Sequence, residues 1–111
     1  MKVSFQDYEH ICVLTLSGEF THDDTDHFSR IVAERQAAGT RHFILDCGSL
    51  EFTDSAALES LLRLQERLGE AGGQLRLIKP DETVSTILRL TRLELALESH
   101  PSLELAVRSL R

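Results

Sequence analysis

Phe52-Thr53-Asp54-Ser55-Ala56-Ala57-Leu58 sets a hydroxyl beside a carboxylate just before a leucine-striped segment. A strand over Arg41 to Cys47 ends shortly before it, so the pair falls at the start of a helix on the rim of an α/β sheet. Thr53, Asp54 or Ser55 can each cap that helix by accepting a hydrogen bond from an early N–H. The same geometry permits a second use for Ser55. A phosphate there would add about −1.5 to −2 charges where exposed N–H groups and the helix dipole tolerate an anion. The fold would survive, and a partner fitted to the neutral site would meet a hydrated dianion beside Asp54. Ser55 is thereby a candidate switch rather than a catalyst.

Other chemistries fit less well. No Gly-x-Ser-x-Gly elbow surrounds Ser55, and none of the five histidines stands in a sequence context that pairs with it. In His22-Asp23-Asp24-Thr25-Asp26-His27, a helix would put Asp23 and His27 on one face. Zinc needs a third or fourth ligand, the remaining histidines are scattered, and acidic residues suit a first helical turn on their own account. Gly72-Gly73 lacks the Gly-Lys-Ser/Thr of a phosphate cradle and reads as a turn. No metal or cofactor is expected.

The elements that must hold Ser55 follow from periodicity. Val3 to Gln6 and Ile11 to Ser17 read as strands joined by the polar turn Asp7-Tyr8-Glu9-His10, with Gly18 breaking the second run. Thr21-His22-Asp23-Asp24 fits the capping pattern [ST]-x-x-[DE] of a first helix carrying Phe28, Ile31 and Val32 and ending at Gly39. Phe43-Ile44-Leu45 lies in the next strand. Leu58, Leu61, Leu62 and Leu68 stripe the second helix, where Glu59 and Arg63 stand in the favourable i,i+4 order. Gln74 to Ile78 is a strand closed by Pro80, Glu82 to Leu90 a third helix, Leu95-Ala96-Leu97 a short edge strand, and Pro101 opens a last helix. The fold class expected is α/β: a single domain over residues 1–111, a mixed four- to five-stranded sheet with an N-terminal hairpin, and about four helices.

Composition narrows the partners. A chain of 111 residues buries about 65% of its unfolded surface around one core. A net charge of −6, with only Lys2 and Lys79 among the lysines, leaves no basic stripe for nucleic acid. No segment approaches the roughly 20 apolar residues of a membrane span, and the N-terminus lacks the apolar core of a signal peptide. Cys12 and Cys47 sit in apolar strand-like runs and read as small buried hydrophobes in a reducing cytosol. A cytoplasmic location is expected.

Taken together the segments resemble a known family, the STAS domain in the form of the bacterial anti-sigma factor antagonists. Leu16-Ser17-Gly18-Glu19-Phe20-Thr21-His22 is similar to the family's loop after the second strand, and Phe43-Ile44-Leu45-Asp46-Cys47 to its strand ending in Asp. Phe52 to Leu58 resembles its Asp-Ser-Ser-Gly-Leu signature. Gly73 to Ile78, Leu90 to Leu93 and Pro101 to Ala106 resemble its closing segments, in the same order and spacing. The resemblance implies a partner-switching protein without enzymatic activity. Ser55 would be phosphorylated by an anti-sigma factor that is itself a GHKL-type serine kinase. The unphosphorylated form would bind that kinase and free a sigma factor, and a PP2C-type phosphatase would reset it. Partner contacts would map to Asp54, Ala56 and Ala57 and to the loop bearing Glu19, Thr21, His22 and Asp23.

This chain departs from the family at three places. Ala56 and Ala57 replace Ser and Gly of the signature, enlarging the expected docking surface. Thr21 replaces an Asp, and Arg92 stands where the family often has Gly. None removes the phosphoacceptor. The alternative function is a constitutive cytoplasmic STAS subunit docking on a lipid-transport ABC ATPase, for which Ala56 and Ala57 would offer a flat apolar contact. A homodimer through an exposed sheet edge stays open.

Overall fold

The computed structural model describes residues 1–110. Five strands lie side by side in chain order: β1 (Lys2–Tyr8), β2 (Ile11–Phe20), β3 (His42–Thr53), β4 (Leu75–Ile78) and β5 (Ser99–His100). The β1–β2 hairpin is antiparallel and every later pairing is parallel. Helices α1 (Thr25–Ala37), α2 (Ser55–Glu70), α3 (Glu82–Leu90) and α4 (Leu103–Ser109) connect or follow the strands. The expected α/β fold with its hairpin and four helices is the one observed.

Strand alternation divides the sheet into two faces. Cys12, Leu14 and Leu16 of β2, Phe43, Leu45 and Cys47 of β3, and Leu75 and Leu77 of β4 point to the main core. There they meet Phe28 and Val32 of α1, Leu58, Leu61, Leu64 and Leu68 of α2, and Val84 and Leu88 of α3. The opposite face carries Val13, Ile44 and Ile78, which α4 covers through Ala106. Both thiols are free and buried, and burial pushes each up to about 12.

Several boundaries move from their expected places, each for a visible reason. Gly18 does not end β2. It adopts φ +80° inside the strand, where the β2–β3 register shifts, and the chain resumes pairing to bury Phe20. β3 runs on to Thr53 because parallel pairing continues through Glu19 opposite Phe52 and Phe20 opposite Thr53. The hairpin turn shrinks to Glu9-His10, with Glu9 at φ +56°. Leu95-Ala96-Leu97 is not a strand. The N–H groups of Ala96 and Leu97 both bond to the Leu93 carbonyl, coiling the chain into a turn, and the edge strand forms at Ser99–His100 instead. Pro101 precedes the last helix, which Ser102 caps through the Leu105 N–H. Glu59 and Arg63 form no ion pair; the i,i+4 pair that forms is Glu104–Arg108, at 2.7 Å.

Three helices end alike. After α1, α2 and α3 the chain passes through a left-handed residue, Gly39 (φ +107°), Gly72 (φ +79°) or Arg92 (φ +62°). In each case the next amide reaches back to an earlier carbonyl: Thr40 to Arg35, Gly73 to Leu68, and Leu93 to Leu88. Arg92 thus occupies a position that favours glycine, which gives its departure from the family a structural meaning.

Candidate functional site: the rim at the start of helix α2

The parallel strands β2 and β3 end together, Phe20 beside Thr53, so their following loops emerge on one rim. Phe20 packs its ring against Phe28 of α1, centroids 5.1 Å apart, which anchors the loop between β2 and α1. Within that loop, Thr21 and Asp24 bracket a 3-10 turn over His22–Asp24. The Thr21 N–H donates to Asp24 Oδ2 at 2.9 Å, and the Asp24 N–H donates to the Thr21 carbonyl at 2.9 Å. The Thr21 amide, helped by the N-terminal ammonium 3.7 Å away, holds the Asp24 carboxyl below its usual value.

Of the three possible caps for α2, Asp54 takes the role. Its Oδ1 accepts the Ala57 N–H at 2.8 Å, and its Oδ2 accepts the His22 N–H of the neighbouring loop at 3.1 Å. One carboxylate therefore closes the first turn of α2 and fastens the β2–α1 loop to it. Thr53 is buried, its hydroxyl without a hydrogen-bond partner among the described residues. Ser55 is the first residue of α2, exposed, and its hydroxyl makes no hydrogen bond among the described residues. With the Ala57 N–H taken by Asp54 and the Leu58 N–H by the Asp54 carbonyl at 3.1 Å, the amides of Ser55 and Ala56 are the ones left without an intrahelical acceptor.

The structure gathers most of the expected residues. Glu19, His22 and Asp23 are exposed on the rim, and Thr21 and Ala56 are half-buried. Ala57 is a correction. Its side chain is fully buried in the main core, so its methyl adds nothing to the outer surface and it serves the site through its amide alone. Asp23 and His27 do not share a helical face, because Asp23 lies in the 3-10 turn before α1. Sequence reasoning missed Phe52. It is 42% exposed, pairs in register with Glu19, and sets an aromatic surface directly before the Asp54–Ser55 pair. Its signal was a large aromatic at the last alternation of a strand, outward of buried Thr53. A cleft of about 420 Å³ between α1 and α2, lined by Ser60 and Arg63 among others, does not include Ser55.

A rim built this way, with an exposed serine hydroxyl at a helix start beside a structural aspartate, can accept a phosphoryl group or a protein surface. The STAS domain model matches residues 2–106, and the chain belongs to that family. Among solved structures it is similar to an anti-sigma factor antagonist from Mycobacterium paratuberculosis, at 21% identity and TM-score 0.83, covering 99% of this chain and 93% of that one. It is similar also to the Bacillus cell fate determinant SpoIIAA in its phosphorylated form, at 19% identity and TM-score 0.71, covering 99% and 100% of the two chains. The murine anion transporter Slc26a9 contains the same fold, at 17% identity and TM-score 0.72, over 93% of this chain and 18% of the transporter. At these identities the likeness is one of fold. Among curated proteins the sequence finds no match. No helix among the described residues is long and apolar enough to cross a membrane.

Proposed function

We propose that this chain is a phosphorylation-controlled anti-sigma factor antagonist that docks its serine kinase through the α2 rim. The observation that carries the reading is the division of labour between adjacent residues: Asp54 is occupied by two backbone amides, while the Ser55 hydroxyl beside it is exposed and unbonded. In the reaction, Ser55 Oγ takes the γ-phosphoryl group of ATP held by the partner. The Oγ–phosphorus bond forms as the bond to the ADP leaving group breaks, and the hydroxyl proton passes to a base. Hydrolysis by a PP2C-type phosphatase returns the hydroxyl. The incoming dianion would stand beside Asp54, on a rim that also exposes Glu19 and Asp23, so a partner would feel a sharp rise in local negative charge. The protein acts as substrate and ligand, and ATP belongs to the partner. A cytoplasmic location follows from that role.

The test is incubation with a candidate GHKL-type serine kinase plus ATP, followed by mapping of the phosphoryl mass increment. Modification at Ser55, lost in Ser55→Ala, supports the reading. Ser55→Asp is expected to weaken the complex by roughly 100-fold, the equivalent of a few kcal/mol for like charges set against each other. Tight binding by Ser55→Asp with no phosphorylation of the wild type would overturn the switch and favour a constitutive docking subunit.

A further inference from the structure

We propose that the chain self-associates edge to edge through β1, joining two sheets into one of ten strands about a two-fold axis at Phe5. β1 is the outer strand of the sheet, seven residues long, and nearly all of it is exposed. An outer strand presents a row of N–H and C=O groups ready to pair, and proteins that stay monomeric usually blunt it with proline, a bulge, inward charges or a covering element. β1 has no bulge or covering element, and its two charges, Lys2 and the inward-facing Asp7, lie towards its ends and leave Val3 to Gln6 uncharged. It contains no proline and its register with β2 is unbroken from Lys2 to Tyr8. Its one acidic side chain, Asp7, is held by Arg35 of α1 at 3.1 Å.

The occupant is a second copy because the strand is complementary to itself. Antiparallel pairing that uses all seven residues has one register, with Phe5 opposite Phe5 of the second copy. Lys2 then faces Tyr8, Val3 faces Asp7 and Ser4 faces Gln6, so no like charges stand opposite one another. The two faces of the strand are prepared for this. On the helix side, Phe5 is 47% exposed and lies beneath the Arg35 guanidinium, 4.2 Å from the ring centroid. On the other side, Tyr8 is 49% exposed and borders an apolar cleft of about 280 Å³ formed with Ile11, Val13, Leu103 and Val107. Both aromatics gain cover when the second strand arrives, Phe5 from its own counterpart and Tyr8 from the Lys2 stem. Because the two copies run antiparallel, their α2 rims point to opposite ends of the joined sheet, and both Ser55 hydroxyls stay accessible. The inference does not depend on phosphorylation.

Sedimentation or light scattering across the micromolar to millimolar range tests it. The expected mass rises from that of one 12.5 kDa chain towards twice that value. Phe5→Glu keeps a partner for Arg35 within the monomer and opposes two carboxylates at the axis, so it should weaken association at least about tenfold. In Phe5→Cys, diamide should couple two copies through a disulfide, reducing the diamide, whereas Ser4→Cys should couple far less, since only position 5 meets itself. A wild type that stays monomeric throughout would overturn the inference, whether or not the edge accepts another protein's strand. So would a dimer undiminished by Phe5→Glu, or equal coupling at positions 4 and 5.

Discussion

Asp54 Oδ2 accepts the backbone N–H of His22 at 3.1 Å, joining two loops that are thirty-two residues apart in sequence. The bond makes the carboxylate beside Ser55 a fastener between the ends of β2 and β3. Conformation of the rim, and not only its charge, thus depends on a single side chain.

Asp54→Asn separates the two tasks. The amide oxygen can still cap Ala57, but its NH2 group would face the His22 N–H, donor against donor. A loss of about 1–2 kcal/mol in urea unfolding is expected, with faster amide exchange at His22, while Asp54→Ala should cost at least as much. Equal stability of Asn and wild type would show the long-range bond to be worthless.

Gly73 is where the chain turns from α2 into β4, and a Cβ there would collide with the Arg41 backbone carbonyl. Backbone cannot yield as a side-chain tip can. Gly73→Ala should therefore destabilise by about 3 kcal/mol, read as a lowered melting temperature with α2 leucines loosened. Gly69→Ala, where nothing lies within 4 Å of the added atom, is the control and should be neutral or slightly stabilising.

Arg92 offers the opposite experiment. It holds φ +62° at the end of α3, and its own amide and the next complete the bonds to Arg89 and Leu88. Relief of the left-handed strain by Arg92→Gly should raise stability by about 0.5–1 kcal/mol in thermal or chemical unfolding.

Histidine 42 sets a pH dependence. It is buried, its Nδ1 accepts the Gln74 N–H at 3.0 Å, and burial, then the nearby Arg41, Arg76 and His10, hold it below its ordinary value of 6.5. An unfolded chain takes up this proton more readily than the folded one. The contribution of His42 is therefore complete above pH 6.5, declines as pH falls below it, and is exhausted once pH passes through the lower folded value. Unfolding free energy should fall by at most about 1.4 kcal/mol per pH unit in that window. His42→Gln should flatten the slope, and an unchanged slope would assign it elsewhere.

Much of this was legible before any coordinates. Leucine spacing located α2, and the Asp-Ser pair falls at its head as the pattern predicts. Capping chemistry at Thr21–Asp24 was readable too, although the turn it brackets is 3-10 before it becomes α-helical. What stayed hidden were tertiary effects. Periodicity put Ala57 near Ser55 in sequence but could not show that its methyl enters the core. The Leu95 to Leu97 run looked strand-like by composition, yet the chain folds back on Leu93 there and leaves Leu95 94% exposed. The second bond of Asp54 needs a loop brought in by strand pairing, and local pattern does not encode it.

The thiols have a quiet consequence. Burial pushes the thiols of Cys12 and Cys47 far above neutral pH, so both stay protonated there. Peroxide and other electrophiles act on the thiolate, so they would find almost nothing here to attack. Oxidation at either cysteine would therefore require the sheet around it to open first.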